Sequence, residues 1–195
     1  MQIRGDTNLY EVIWHGRGGQ GVVVAAQILA EAAYLEGFKG VTSAPTFGPE
    51  RRGAPLTAST RIADDPIRTF AQIEMADITV VLDDSLFSVV DILGRVRKGG
   101  LVIINTAQPL TNFKVAADFR LASVDAAGVA IKQHLIKEGA PVVNTPMLGA
   151  FARAAGLISL ENLEKALRGK LSREQVFKNF AAVNAAYETT VIREQ

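Results

Sequence analysis

The chain has 195 residues, of which 48% are hydrophobic and 21% are charged, and its formal net charge is +1. This fits one compact domain with a substantial core, and it gives no broad electrostatic reason to bind nucleic acid or an anionic membrane. The sequence contains no cysteine, which excludes disulfides, cysteine-ligated iron–sulfur clusters and a cysteine nucleophile within this chain. It shows no signal-peptide pattern and no apolar run near the roughly 20 residues that span a bilayer, so we expect a cytoplasmic protein.

A glycine-rich stretch, HGRGGQG at 15–21, follows a run of β-formers at 9–14 and precedes an apolar, alanine-rich segment. This order predicts a strand, a loop and a helix at 21–36 that stops at Gly37. Glycines let backbone N–H groups approach an anion, and the helix N-terminus adds about half a positive charge. We therefore expect an anion site, unless the glycines only serve a tight turn and close packing. The candidate binding residues are Gly16, Arg17, Gly18, Gly19, Gln20 and Gly21.

Two common nucleotide sites fit this loop poorly. A P-loop needs Lys and then Ser or Thr after its last glycine, whereas Val22 and Val23 stand there. A dinucleotide site needs an acidic residue at the end of the second strand, about 20 positions further on. The second strand is predicted at 40–45 and ends without an acid, while Glu36 precedes it. An anionic ligand other than NAD is therefore favoured.

The next stretch, PTFGPERRGAP at 45–55, contains three prolines and two glycines. It predicts an ordered loop that leads into a strand at 56–62. Because loops after parallel strands lie at one edge of a sheet, Arg51 and Arg52 would converge with the glycine loop on a phosphate. The alternative is that these arginines are ordinary solvated loop charges.

Strands at 78–82, 101–105 and 118–124 and a helix at 126–137 continue the chain. Another helix is predicted from about Leu86, with Asp83 and Asp84 as cap and the cations at 95–98 in its last turn. This alternation predicts an α/β fold, a Rossmann-like, mainly parallel sheet flanked by helices. From Asn144 onward only helices are predicted, one of them beginning with a capping box at 172–175. We expect one domain, 1–195, with an α/β core at 1–143 and a helical part at 144–195.

The apolar stripe behind the capping box favours core over cofactor contact, and it fits a docking face for another subunit equally well. It consists of Val176, Phe180, Val183 and Tyr187.

Catalytic groups are sparse in this sequence. Its two histidines, His15 and His134, lack metal-ligand spacing, and there is no G-x-S-x-G elbow. His134 falls within a predicted helix, and His15 adjoins the glycine loop, where it could help to orient it. We assign no catalytic residue and no metal ligand to this chain.

Four motifs resemble the gamma subunit of 2-oxoacid:ferredoxin oxidoreductases, the pyruvate synthase type above all. They are HGRGGQG at 15–21, FGPERRGAP at 47–55, VVLD at 80–83 and MLGA at 147–150. In this family the complex decarboxylates a 2-oxoacid on thiamine diphosphate and passes electrons through iron–sulfur clusters to ferredoxin. The acyl group goes to coenzyme A. The resemblance implies that thiamine diphosphate and the clusters belong to partner subunits of alpha, beta and delta type.

The resemblance also implies that this chain closes over the active site and handles coenzyme A. The glycine loop corresponds to residues 16–21, and the loop at the active-site entrance corresponds to 47–53. The latter adds Phe47, Gly48, Arg51 and Arg52 to the candidate cofactor-binding residues. We expect Arg17, Arg51 and Arg52 to contact phosphates of coenzyme A, and the isolated chain to be inactive. Two alternatives remain, a free-standing NAD(P)-binding oxidoreductase and a structural interaction subunit without a ligand.

Overall fold

The computed structural model describes residues 9–45, 52–69, 71–113 and 118–193. Its strands are β1 (Leu9–Arg17), β2 (Gly40–Pro45), β3 (Pro55–Ala63), β4 (Ala76–Val81), β5 (Val96–Asn105), β6 (Arg120–Val124), β7 (Ile136–Lys137), β8 (Ala140–Pro141) and β9 (Val191–Arg193). Its α-helices are α1 (Val22–Glu36), α2 (Ala126–Lys132), α3 (Asn144–Ala155), α4 (Leu160–Arg168) and α5 (Arg173–Thr189).

Seven strands form one sheet in the order β2-β3-β1-β4-β5-β6-β9. The pairs β1–β4, β4–β5 and β5–β6 are parallel, whereas β3 is antiparallel to both β1 and β2, and β9 is antiparallel to β6. As a result β1, β2, β4, β5 and β6 run in one direction, and β3 and β9 run in the other. The predicted α/β fold with a mainly parallel sheet is confirmed. The remaining strands, β7 and β8, pair as a separate hairpin.

The sheet is covered differently on its two faces. Val12 and Trp14 belong to the larger core, which the helices complete, and Trp14 stacks on Phe151 of α3 with ring centroids 6.1 Å apart. On the other face, Val81 packs with side chains such as Leu86 and Ile92 from the irregular segment between β4 and β5. Successive residues of one strand enter different cores, as the pleat requires, with Val80 of β4 in the larger core and Val81 in the other.

Helices α3 and α5 pack with almost no space between their backbones at Gly149. A Cβ atom on Gly149 would lie 2.1 Å from the carbonyl oxygen of Val183. The contact therefore requires glycine. In the predicted stripe of α5, Val176 and Val183 are buried, while Phe180 and Tyr187 pack against the core half-buried. The core interpretation of this stripe is confirmed.

The α-helix predicted from Leu86 does not form. Two 3-10 turns, Asp84–Ser88 and Leu93–Arg95, stand there, and β5 already begins at Val96. Asp83 caps the first turn as predicted, by accepting a hydrogen bond from Ser85 N. The apolar side chains of this segment pack onto the sheet. Arg95 ends the second 3-10 turn. Arg97 lies in a strand and pairs with Glu11 and Asp77 instead.

Smaller corrections concern the bounds of single elements and one additional strand. β1 continues through the first residues of the predicted glycine loop to Arg17, and α2 stops at Lys132 rather than 137. His134 consequently lies outside a helix, with φ 56°. α3 begins at Asn144 as predicted, but β9 joins the sheet within the part predicted as purely helical. Among the described residues no helix is both long and apolar enough to cross a membrane.

Candidate functional site

The glycine loop is a tight turn between β1 and α1. Gln20 N donates to the carbonyl oxygen of Arg17 at 3.0 Å, and Arg17 N donates to Oε1 of Gln20 at 2.7 Å. Gly19 and Gly21 have φ angles of 95° and 77°, in the left-handed region that favours glycine. Gln20 thus closes the turn through its hydrogen bonds with Arg17, and the glycines allow the positive φ angles that the turn requires.

Two of the glycines also allow close approach. A Cβ atom on Gly16 would lie 2.4 Å from Cγ2 of Val22, and one on Gly21 would lie 2.5 Å from Nδ2 of Asn144. Asn144 in turn donates to the carbonyl oxygen of Gly21 at 3.4 Å. The packing role that the sequence left open is therefore present at both positions.

The turn before β3 lies directly against the glycine loop. Gly18 N donates to the carbonyl oxygen of Ala54 at 2.9 Å, and Gly53 N donates to that of Gly18 at 3.1 Å. Arg52 forms a β-bridge with Gly18. Arg52 therefore lies beside the glycine loop, as predicted. The two loops leave the sheet at the same edge because β1 and β2 run in the same direction, although β3 lies between them. Phe47, Gly48 and Arg51 lie outside the described residues.

The side chain of Arg17 forms its contacts within the protein. Its Nε lies 3.0 Å from Asp83 Oδ2, while Nη1 donates to the carbonyl oxygen of Gly53 and Nη2 to Ser85 Oγ. Burial tends to raise the pKa of Asp83, but hydrogen bonds from Ser85 and Gln20, together with the charge of Arg17, hold this pKa below its usual value. Arg17 thus fastens the glycine loop to the end of β4 and to the turn before β3.

A groove of about 1330 Å³ opens beside this network. The glycine loop and the first turn of α1 form one wall, and the β7–β8 hairpin and the start of α5 form others. Most of the lining is apolar, including Val22, Ile28, Leu135 and Val142. Its charged lining residues are Arg52, Asp83, Asp84, Lys137, Glu138 and Lys178.

The N-terminus of α1 faces this groove without a side-chain cap or an acidic residue in its first turn. The first intrahelical bond runs from Ala25 N to the carbonyl oxygen of Gly21 at 2.9 Å. The N–H groups of residues 22–24 precede that bond and therefore have no acceptor in the helix. This arrangement favours an anion at that end of the groove.

Arg52 meets the hairpin across the mouth of the groove. Its Nη1 lies 2.8 Å from Oε2 of Glu138, and the two side chains are 76% and 59% exposed. Glu138 and Gly139 form the two-residue tip of the hairpin, both with positive φ, at 52° and 78°. Sequence reasoning missed this contact, although a Glu-Gly pair between short apolar runs is a weak hairpin signal.

His15 lies on the sheet face away from α1, beside Val81 of β4. Burial, and then the charge of Arg95, lower its pKa to about 4. Its Nε2 has no hydrogen-bond partner, and the residue does not line the groove. It is therefore a neutral core side chain at pH 7. The described part of the chain contains no cluster of three or more His, Cys, Asp or Glu that could hold a metal ion.

Glu36 is the acid nearest to the position of a ribose-binding residue, but its carboxylate accepts hydrogen bonds from the N-terminus of α4. It accepts hydrogen bonds from Ser159 N at 3.0 Å, Ser159 Oγ at 2.9 Å and Asn162 Nδ2 at 2.8 Å. These bonds fix the start of α4 and lower the pKa of Glu36 against the opposing effect of burial. The carboxylate lies at the end of α1 away from the groove, so it does not complete a dinucleotide site.

The chain is similar to known proteins over nearly its full length. Residues 11–189 match the pyruvate ferredoxin/flavodoxin oxidoreductase family. The chain is 46% identical over 191 residues to the pyruvate/ketoisovalerate oxidoreductases common subunit gamma of Thermococcus litoralis, covering 95% of this chain and 100% of that protein. It is 43% identical over 180 residues to pyruvate synthase subunit PorC of Methanothermobacter marburgensis, covering 92% and 97%.

Solved structures with the same fold include the following two. Pyruvate oxidoreductase subunit PORC of Thermotoga maritima has a TM-score of 0.79 at 32% identity, with coverage of 96% of this chain and 99% of that one. The 2-oxoglutarate:ferredoxin oxidoreductase of Magnetococcus marinus has a TM-score of 0.76 at 16% identity, with coverage of 94% and 31%. At that identity the second likeness concerns the fold alone.

Proposed function

Because the chain belongs to the pyruvate ferredoxin/flavodoxin oxidoreductase family, we propose that it is the gamma-type subunit of a cytoplasmic 2-oxoacid:ferredoxin oxidoreductase. The complex would convert a 2-oxoacid, with pyruvate as the expected substrate, to acyl-coenzyme A by oxidative decarboxylation. The lack of cysteine is consistent with iron–sulfur clusters held by partner subunits. Thiamine diphosphate would also lie in those partners, of alpha, beta and delta type, and ferredoxin would accept electrons from them. Residues 1–195 would form one domain, whose part after residue 143 is mostly helical.

The role of this chain would be to bind coenzyme A and to help close the active site. The observation that carries this proposal is the backbone pairing of Gly18 with Gly53 and Ala54, which holds Arg52 beside the glycine loop. Coenzyme A carries a pyrophosphate and a 3′-phosphate at one end of a long, flexible arm. The groove offers uncapped helix N–H groups and cations near apolar walls, which suits a ligand of that kind. The Magnetococcus marinus enzyme, which shares the fold, has coenzyme A bound.

The residues would divide this work. Gly16, Gly18, Gly19, Gln20 and Gly21 would form the loop that presents backbone N–H groups to a phosphate, with Arg17 as the side chain that fixes it. Arg52 would supply a mobile cation, together with Arg51 in the same loop. Phe47 and Gly48 would stand at the active-site entrance.

The test uses the complex that co-purifies with this chain. Replacing Arg51 or Arg52 with alanine should raise the KM for coenzyme A about tenfold, as expected for the loss of a charge-assisted phosphate contact. The KM for the 2-oxoacid should stay constant. Arg68→Ala is the matched control, since Arg68 is exposed and does not line the groove. An unchanged KM for coenzyme A with reduced recovery of the complex would instead indicate a structural interaction subunit.

Non-autonomy is tested separately. The isolated chain should show no turnover with 2-oxoacid, coenzyme A and an electron acceptor, and activity should return when the co-purifying subunits are added. Binding of NADPH by the isolated chain in a fluorescence titration would instead support a free-standing NAD(P)-dependent enzyme.

A further inference from the structure

The geometry points to Glu138 as an internal competitor for Arg52, through which the β7–β8 hairpin limits how tightly the groove holds a phosphorylated ligand. This inference rests on the proposed function, in which Arg52 contacts a phosphate of coenzyme A. It adds a regulatory role for a segment that lies more than 80 residues away along the chain.

The first observation is the ion pair itself. Arg52 Nη1 and Glu138 Oε2 are 2.8 Å apart, and both side chains are mostly exposed. Exposed pairs of this kind contribute little to stability and exchange partners easily. A phosphate group offers the guanidinium a charge-assisted and bidentate partner of the same kind as the carboxylate. The ligand must nevertheless displace, or share Arg52 with, a carboxylate that already neutralises it.

The second observation is the local geometry of Glu138. Its φ of 52° lies in the left-handed region, followed by Gly139 at 78°. Two-residue hairpin turns of this type favour Asn, Asp or Gly at the first position, because a longer side chain has no local hydrogen bond to offset the strain. Glu138 is therefore an unfavourable residue for the turn, and its side chain forms an ion pair with Arg52.

The third observation is the position of the pair. Arg52 and Glu138 both line the groove, Arg52 from the turn that hydrogen-bonds Gly18 and Glu138 from the hairpin. The hairpin is small, with Ile136 opposite Pro141 and Lys137 opposite Ala140. The ion pair joins these two walls. Ligand binding would release the hairpin tip and transfer Arg52 to the phosphate.

The experiment measures the dissociation constant of coenzyme A by titration calorimetry on the co-purified complex. We compare the parent complex with Glu138→Gln, Arg52→Gln, the double variant and Glu31→Gln. Glutamine keeps the size and the backbone strain of Glu138 but removes its charge. Glu31 is an exposed glutamate of α1 outside the groove lining, so its variant controls for the change in net charge.

Glu138→Gln should tighten coenzyme A binding about two- to fivefold, the range expected for an exposed ion pair. Arg52→Gln should weaken binding, and adding Glu138→Gln to it should then change nothing, because the competitor acts through Arg52. Glu31→Gln should match the parent.

Three outcomes overturn the inference in distinguishable ways. If Arg52→Gln weakens binding while Glu138→Gln leaves it unchanged or weaker, competition is wrong and the coenzyme A contact stands. If Glu138→Gln tightens binding equally with and without Arg52, the carboxylate repels the ligand directly. If Arg52→Gln has no effect, the proposed contact itself fails and the competition fails with it.

Discussion

His15 illustrates how burial governs a single titratable side chain in this fold. Only 2% of the residue is exposed, and its pKa falls from 6.5 to about 4 through burial and the nearby charge of Arg95. The unfolded chain therefore takes up a proton at a higher pH than the folded chain does. Stability attributable to a neutral His15 is complete above about pH 6.5 and is lost as the pH falls towards 4.

We expect this single group to lower the free energy of unfolding by up to about 3 kcal/mol over that interval, from 1.36 kcal/mol per pKa unit. Urea unfolding between about pH 7 and pH 4.5 measures the effect. His15→Gln should flatten the upper half of the profile, where carboxylates with lowered pKa values, such as Asp83 and Glu36, do not yet titrate. An unchanged slope in that variant would show that another group is responsible.

The site residues differ in how far the sequence could reveal them. The nearness of Arg52 to Gly18 followed from strand direction, because the loops after β1 and β2 leave the sheet at one edge. The partners of Arg17 could not be inferred, since Asp83 and Ser85 lie 66 and 68 positions away. Such contacts depend on the side-by-side placement of β1 and β4, which local sequence patterns do not encode.

Among the elements, helix α3 depends on a glycine at its contact with α5. Replacing Gly149 with alanine would place a Cβ atom 2.1 Å from the carbonyl oxygen of Val183, so the helices must move apart. We expect a loss of about 2–3 kcal/mol in the free energy of unfolding, typical of overpacking against backbone.

Gly156→Ala at the end of the same helix is the matched control for Gly149→Ala. Gly156 has φ 65° and open space around its Cβ position, so only backbone strain of about 1 kcal/mol is expected. Denaturant unfolding of both variants decides between the two causes. Equal losses in the free energy of unfolding would show that α3 and α5 move apart at no energetic cost.

The segment between β4 and β5 shows why the sequence predicts a helix that does not form. Its apolar residues and the cations before Gly99 are typical of a helix end, yet they belong to 3-10 turns and to an early start of β5. The pairing partner of β4 shifts from Val96 at Ala76 to Leu101 at Ile78. This bulge contains Gly99, whose φ is 78°. A Cβ atom on Gly100 would lie 3.0 Å from the carbonyl oxygen of Asp77. Irregular pairing of that kind has no periodic sequence signal.

At the scale of the whole molecule, a charged cluster ties four strands together at the sheet edge opposite the groove. Glu11 of β1 lies 2.9 Å from Arg61 of β3 and 2.7 Å from Arg97 of β5, and Arg97 also lies 2.7 Å from Asp77 of β4. Hydrogen bonds to Asp77, and then to Glu11, raise the pKa of Arg97 against the effect of burial. Arg61 is nearly buried, so Glu11 balances a charge that water cannot reach.

Glu11→Gln should therefore lower the free energy of unfolding by about 2–4 kcal/mol, since it leaves a buried guanidinium without its counter-charge. Asp118→Asn is the control, because its pair with Lys98 is exposed and 3.5 Å long, and should cost about 0.5 kcal/mol or less. Denaturant unfolding measures both. A loss of similar size in the two variants would mean that the cluster adds nothing beyond a surface ion pair.

The overall architecture could be predicted because alternating apolar runs and helix signals decide an α/β fold. The predicted strand at 40–45 and the capping box at Ser172 and Gln175 agree with the structure. The antiparallel direction of β3 could not be predicted, since nothing in a strand's own residues states which neighbour it pairs with. The same applies to β9, which is only three residues long.

That short last strand also sets a limit on how the chain can be trimmed. β9 now pairs with Leu121, Ala122 and Ser123 of β6. With Val191–Arg193 removed, β6 would expose unpaired N–H and C=O groups along these three residues. An open strand edge of this kind is a template for pairing with another chain. A chain cut after Thr190 should form concentration-dependent aggregates by light scattering, whereas Val191→Thr, which keeps the strand, should scatter like the parent. A protein engineer adding a fusion partner would therefore keep residues up to Arg193 and attach it beyond them.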